Sequence, residues 1–327
     1  MQVGKLDSEL LRRIVFNNIT YHRDEVTIRP GIGEDCAVID FGEYACIIST
    51  DPITGATNEI GRLAVHVACN DIASNGAAPL GLMLTIMAPE GTTEEDIESI
   101  MKQAGKAAAE LRVEIIGGHT EITNAVNRII ISATALGRQL KDKVIYTRGA
   151  SPGDRIIMTK NLGLEGTAII AHDWEERLHK SIGHEMLEEA KNMMDHISVV
   201  KEGVIAGEIG VSGMHDITEG GLLGAVWEMC EASSVGALLY KDKVYIAPVT
   251  EKICNIFDID TFRLISSGCM LITIEENKVE QLMNEFENHG IRANVIGEIT
   301  SSGRYMKDGE EFIPIEAPEG DELYKIL

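Results

Sequence analysis

The chain has 327 residues, with 29 Lys+Arg against 52 Asp+Glu and a formal net charge of -23. Such an acidic surface repels nucleic acid and anionic membranes. No apolar run approaches the ~20 residues that a membrane helix needs, and the start, Met1 to Asp7, has no leader pattern. The expectation is a cytoplasmic protein with neither nucleic acid nor membrane as partner. With hydrophobic residues at 44% and charged residues at 25%, the composition is that of a globular protein long enough for two domains. None of the six cysteines forms a Cys-x-x-Cys pair. This argues against structural zinc and for buried thiols in a reducing compartment, Cys36 included.

Residues 8–17 show helical spacing, with Asp7 or Ser8 to cap the start. A polar stretch leads to Pro30-Gly31-Ile32-Gly33, and residues 37–40 and 45–48 read as paired strands turned at Phe41-Gly42-Glu43. A helix follows from about Ile60 to Asn75, with Leu63, Ala64, Val67, Ala68 and Ile72 on its apolar face. Leu82 to Met87 is a strand. Thr92-Thr93-Glu94-Glu95 starts a helix that runs to about Leu111. Val113 to Ile116 is a strand that ends in Gly117-Gly118-His119-Thr120-Glu121, and Arg128 to Leu136 is another. The first half is thus an α+β layer. Gly149 to Asp154 is the expected boundary, giving domains 1–150 and 151–327. The second half opens with strand Arg155 to Thr159 and the turn Gly163-Leu164-Glu165-Gly166. Helices are expected over 185–195 and 199–209, followed by Met214-His215-Asp216 and a Gly220-Gly221 helix start. Strand 269–274, helix 277–289, strand 293–299 and a hairpin at Lys307-Asp308-Gly309 complete the chain.

Four acidic places stand beside glycines or at element ends: Glu34-Asp35, Asp51 at the end of an apolar strand, Asn70-Asp71 inside an apolar helix, and Asp216. A lone Asp is commonly a turn former or helix cap. Four of them brought to one mouth would suit a hard divalent cation, which prefers oxygen ligands and commonly accompanies phosphate. Asp71, among small apolar residues, is expected to point inward and be paired.

Gly31-Ile-Gly-Glu-Asp35, Ser49-Thr50-Asp51, Gly61…Asn70-Asp71-Ile-Ala73, Gly117-Gly118-His119-Thr120 and Asp216…Gly220-Gly221-Leu222 together resemble the aminoimidazole-ribonucleotide synthetase (PurM-like) superfamily. The motifs stand in family order over roughly residues 4–300. The resemblance is greatest to its HypE-like branch, through Ser49-Thr50-Asp51-Pro52-Ile53 and residues 60–73. It implies a two-domain α/β (α+β) fold. The N-terminal domain, binding ATP and metal, would pair in a homodimer around a β-barrel-like core, and the C-terminal domain would be α/β. It also implies ATP and Mg2+ as cofactors, with phosphates held through Mg2+ and not by a Walker loop, which this chain lacks. The matched metal ligands are Asp35, Asp51, Asp71 and Asp216. Gly31, Gly33, Thr50, Asn70, Gly117, Gly118 and Thr120 match nucleotide-binding positions. The implied chemistry is phosphoryl transfer to an amide or carbonyl oxygen of an acceptor that is a small molecule or is borne on a protein.

This chain departs from the family at two places. His119 stands where some relatives carry a metal-binding Asp. It is a candidate phosphate ligand or catalytic acid/base, or else a structural residue. The HypE tail cysteine and its His-Gly-Ala-Gly-Gly start are also missing; Gly4-Lys5-Leu6 stands at the start. With Cys269 in an apolar strand, the expectation is no self-carbamoylated cysteine, and ATPase or transfer activity largely unchanged on deleting residues 321–327. Three readings result: a HypE-like ATP-dependent enzyme, a small-molecule kinase resembling thiamine-monophosphate kinase, and a nucleotide-binding maturation or regulatory partner with little turnover.

Overall fold

The computed structural model describes residues 6–54 and 59–326. Gly4 and Lys5 lie outside them. The chain starts with one helical turn, α1 (Ser8–Leu10), whose N–H groups are capped by the Asp7 carboxylate. A wide turn and a tight one (Leu11–Val15, Phe16–Asn18) replace the regular helix expected there.

The first sheet has strands β1 (Val26–Ile28), β2 (Ala37–Asp40), β3 (Tyr44–Ile53), β4 (Ala78–Ala88), β5 (Glu114–Ile122) and β6 (Ile130–Leu140), in the order β1-β2-β3-β6-β4-β5. It is open, with β1 and β5 as its edges. Helices α2 (Ile60–Ser74) and α3 (Glu94–Leu111) pack on one another, and α2 lies against β3 and β6. Thr93 caps α3 in a reciprocal box with Asp96, as the Thr-x-x-acid spacing predicts. The sequence places Gly117 to Glu121 after the strand end. The structure instead runs β5 straight through them to Ile122, because each residue from Gly117 on pairs in parallel with β4.

The second sheet contains β7 (Arg155–Thr159), β8 (Gly213–Asp216), β9 (Gly236–Tyr240), β10 (Met270–Ile274), β11 (Ala293–Thr300), β12 (Arg304–Asp308) and β13 (Glu311–Pro314), in the order β13-β12-β9-β11-β7-β10-β8. Its helices are α4 (Leu164–Asp173), α5 (Glu175–Asn192), α6 (Val200–Ile209), α7 (Gly221–Ser233), α8 (Pro248–Phe257) and α9 (Val279–Asn288). α5 starts ten residues before the expected 185 and is broken at Gly183. β9 and α8 escape the sequence reading. Among the described residues no helix is long and apolar enough to cross a membrane.

α2 holds the two halves together. All of its residues except Arg62 are buried, the polar His66, Asn70, Asp71 and Ser74 included, because the helix packs at once against α3, α6 and the first sheet. A Cβ on Gly203 of α6 would sit 2.2 Å from the Ala73 carbonyl, so only glycine lets α6 lie this close to α2.

The C-terminal segment, whose deletion is expected to spare activity, is nonetheless packed into the folded second half. Leu323 is buried in the core of the second half. Asp321 accepts N–H bonds from Gly220 at the start of α7 and from Leu323, both at 2.8 Å. Losing about 2 kcal/mol of leucine burial and about 1 kcal/mol of capping predicts a loss of roughly 3 kcal/mol on deleting 321–327. Urea unfolding would measure it, and an unchanged midpoint would contradict this packing.

Candidate functional site

The site begins at the turn Gly31-Ile32-Gly33. Gly33 has φ +76°, and a Cβ there would meet the Glu228 carbonyl of α7 at 3.0 Å. The turn therefore lies directly on the second half of the chain. Gly33→Ala is expected to destabilise by about 1–3 kcal/mol through backbone strain and this clash, and to loosen Asp35 two residues on. Paired thermal melts of the two proteins would test it, and equal melting temperatures would contradict it.

Alternation along β3 puts Ile47 and Ser49 on its buried face, with Asp51 next in the same period-two series. Ser49 Oγ donates to Asp71 Oδ2 of α2 at 2.5 Å. Ser74, one turn on, donates to Asp35 Oδ2 at 2.9 Å and also lies 2.7 Å from the Asp71 carbonyl. The Cys36 thiol donates to that same carbonyl at 3.1 Å. Burial, then the charges of Asp71, Asp35, Asp216 and Asp51, push its pKa far up, leaving it an inert structural thiol.

The second half contributes β8. Asp216 is 1% exposed, and among the described residues neither of its carboxylate oxygens has a hydrogen-bond partner. Burial first, then the charge of Asp35, raise its pKa well above the usual carboxylate range, and Asp51 adds to this. Asp71 is raised in the same way by burial and by Asp216, Asp51 and Asp35. The four aspartates singled out in the sequence thus act on one another electrostatically in one place. A buried carboxylate that bonds to nothing is unfavourable unless a cation completes it. Ligand atoms of Asp35, His215 and Asp216 lie within 4.8 Å of one another. The imidazole is nonetheless already committed: Nδ1 faces Asp35 Oδ2 at 2.8 Å and Nε2 faces Glu228 Oε2 at 2.9 Å. Burial alone would lower the His215 pKa, but Asp35 and Glu228 together hold it well above its ordinary value. His215 is thus an imidazolium bridging the turn to α7, and the oxygen donors remain for a hard cation. An all-carboxylate set fits Mg2+.

Other expected site residues lie elsewhere. Asn70 is fully buried, and its amide joins α2 to the second half, donating to the Ile197 carbonyl at 2.9 Å and accepting from Val199 N–H at 2.8 Å. Thr50 faces the other side of the sheet and bonds Thr134 at 2.9 Å. Gly117, Gly118, His119 and Thr120 sit on the exposed edge strand. His119 contacts Glu121 at 3.2 Å and shares a row with Thr85, Ser132 and Pro52. Three strand spacings, roughly 14 Å, therefore separate it from the end of β3 within one chain. Gly31 and Gly33 line a cleft of ≈ 110 Å³ with Glu34, Asp35, Glu219, Gly220 and Pro318. His215 and Glu228 carry no role in the sequence reading. The only signal was the His beside Asp216, and nothing marks Glu228 in advance.

The family model described as the AIR synthase related protein N-terminal domain matches residues 33–139, and the corresponding C-terminal domain matches residues 151–307. A Methanocaldococcus jannaschii protein described as a hydrogenase expression/formation protein is 31% identical over 309 residues, covering 91% of this chain and 88% of that protein. Thiamine-monophosphate kinase of Pyrococcus horikoshii is 27% identical over 298 residues, covering 87% and 89%. The crystal structure of hydrogenase maturation protein HypE in complex with ATP superimposes with a TM-score of 0.72 at 21% identity, covering 95% and 92%, and so shares the fold. With both family domains matched in order, the chain belongs to the AIR synthase related family, in its HypE-like branch.

Proposed function

We propose that this protein is an ATP- and Mg2+-dependent phosphoryl-transfer enzyme that activates an amide or carbonyl oxygen of a small-molecule or protein-borne acceptor. One observation carries the reading: the buried, unpartnered Asp216 carboxylate, set against Asp35 and within the field of Asp71 and Asp51. ATP-bound HypE and the kinase relative support the nucleotide. Bound Mg2+ would neutralise phosphate charge in a site that otherwise repels anions. Asp35, Asp51, Asp71 and Asp216 would hold it. Ser49 fixes the Asp71 carboxylate, and Ser74 and His215 fix that of Asp35. His215 also keeps the α7 side of the cleft in register by holding Glu228.

ADP release from ATP, with Mg2+ and with EDTA, tests this proposal across candidate acceptors. Turnover that persists in EDTA, or no turnover with any acceptor, would contradict it. The kinase reading draws on the Pyrococcus relative. A stable phosphorylated acceptor supports that reading, whereas inorganic phosphate supports activation followed by loss of the phosphate.

The homodimer belongs to the same proposal. The helices cover one face of the first sheet, while Leu80, Met83 and Ile116 on β4 and β5 are 43–50% exposed. Apolar strand surface of this kind calls for cover. A second copy could also bring its own β5, with His119, toward the carboxylates. Met83→Glu is expected to convert a dimer to a monomer in light scattering. A wild-type protein monomeric at micromolar concentration would contradict the pairing.

A further inference from the structure

Three histidines gather where α4 meets the broken helix α5. The kink at Gly183, with φ +79°, divides α5 into two arms, 175–182 and 184–192. Lys191 joins the arms: its Nζ lies 2.9 Å from Glu175 on the first and 3.4 Å from Glu188 on the second. His179 follows Glu175 by four residues, and His184 precedes Glu188 by four, so each histidine shares a helix face with a carboxylate. The two imidazoles meet across the kink, with ring centroids 6.1 Å apart. His172, near the end of α4, belongs to the same group. The Glu175 carboxylate is held below its usual range by its bond to Lys191 first, and then also by the charges of His172 and His179. Helical proteins build metal sites from Glu and His on facing helices, and imidazole nitrogens suit transition metals such as Zn2+ and Ni2+. With metal–nitrogen bonds of about 2.0 Å, two imidazoles on one ion have centroids roughly 5 Å apart. Both histidines are exposed, and exposed side chains change rotamer freely, so the remaining gap closes without backbone movement.

We infer that His179, His184 and Glu175 form a surface site for a divalent transition-metal ion of the Zn2+ or Ni2+ class, separate from the carboxylate cluster. His172 flanks it. A bound ion takes Glu175 from Lys191, which keeps Glu188, and ties the two arms of α5 together across Gly183.

Calorimetry of the full, untagged chain with Zn2+ tests the inference, in an Asp216→Asn background so that the carboxylate cluster does not contribute. One equivalent of Zn2+ is expected to bind despite excess Mg2+, and to raise the melting temperature. Adding His179→Ala or His184→Ala should weaken binding roughly 10- to 100-fold or more, since even the outer-shell partners of metal ligands are worth that much. Glu175→Gln should weaken it as well. All three side chains are exposed, so these variants should stay folded, which melts in EDTA would check. Electron paramagnetic resonance with Cu2+ reads the ligands without any variant at this site, and nitrogen hyperfine coupling from two imidazoles is expected. No Zn2+ binding in the Asp216→Asn protein, full affinity in any of the three added variants, or a Cu2+ spectrum without imidazole nitrogen would each overturn the assignment. The phosphoryl-transfer proposal stands or falls separately, since it rests on Asp216 and Mg2+.

Discussion

Asp216→Asn is expected to weaken Mg-ATP binding by roughly 100-fold or more, since even residues that only orient metal ligands cost 10–100-fold. The same change should raise the melting temperature of the metal-free protein. Asn keeps the shape and removes a buried charge that no hydrogen bond satisfies and that burial and the other aspartates disfavour, with His215 offsetting only part of it. The pH dependence follows in sign. The folded-state pKa of Asp216 is raised, so its contribution to stability is complete below the ordinary carboxylate range and is lost as pH rises through the raised value. The variant should therefore lose less stability than the wild type between mildly acidic and neutral pH. Calorimetry with Mg-ATP and melts in EDTA measure the two effects. Unchanged affinity, or a less stable metal-free variant, would contradict the role given to Asp216.

His215→Ala carries the second large effect, on stability. The imidazolium lies between Asp35 and Glu228, and removing it leaves two carboxylates facing each other across a dry gap. Breaking a buried ion pair from one side costs about 3–5 kcal/mol. The folded-state pKa of His215 is raised, so its stabilisation is full below the ordinary histidine value and fades as pH rises from there through the raised one. The gap between wild type and variant should thus be widest at pH 6 and below, should already be narrower at pH 7, and should go on narrowing in alkali. Denaturant unfolding across that range would show it. A variant within 1 kcal/mol of wild type would mean that His215 is neutral and dispensable.

Strands and helices with clean periodicity were legible in the sequence. The β2–β3 hairpin matches the alternation, β7 is a short apolar run buried on both faces, and Thr93 caps α3 as its spacing implies. The aspartates were legible too, because a carboxylate among apolar residues, as at Asp71, needs a reason to be there. Side-chain direction was not legible. Asn70 and Asp71 are neighbours on one helix, yet Asp71 faces β3 and Asn70 faces the Ile197–Val199 backbone. Chain order does not encode which flank of α2 meets which half of the protein. Gly117-Gly118 resembled a loop, because glycines weaken strand patterns, but pairing with β4 decided the matter. The roles of Asp321 and Leu323 depend on a contact with Gly220 about a hundred residues earlier, which no local pattern reveals.

The central claim is that these carboxylates hold the cation that carries the nucleotide. Its most direct test is anomalous scattering from crystals grown with Mn2+ and a non-hydrolysable ATP analogue. The account predicts a metal peak about 2.1 Å from an Asp216 oxygen, the distance expected for a small octahedral cation, with Asp35 or Asp71 as a further ligand and the analogue's phosphates on the same ion. Nucleotide bound with no metal at Asp216, or metal bound elsewhere while Asp216 keeps both oxygens unliganded, would contradict it.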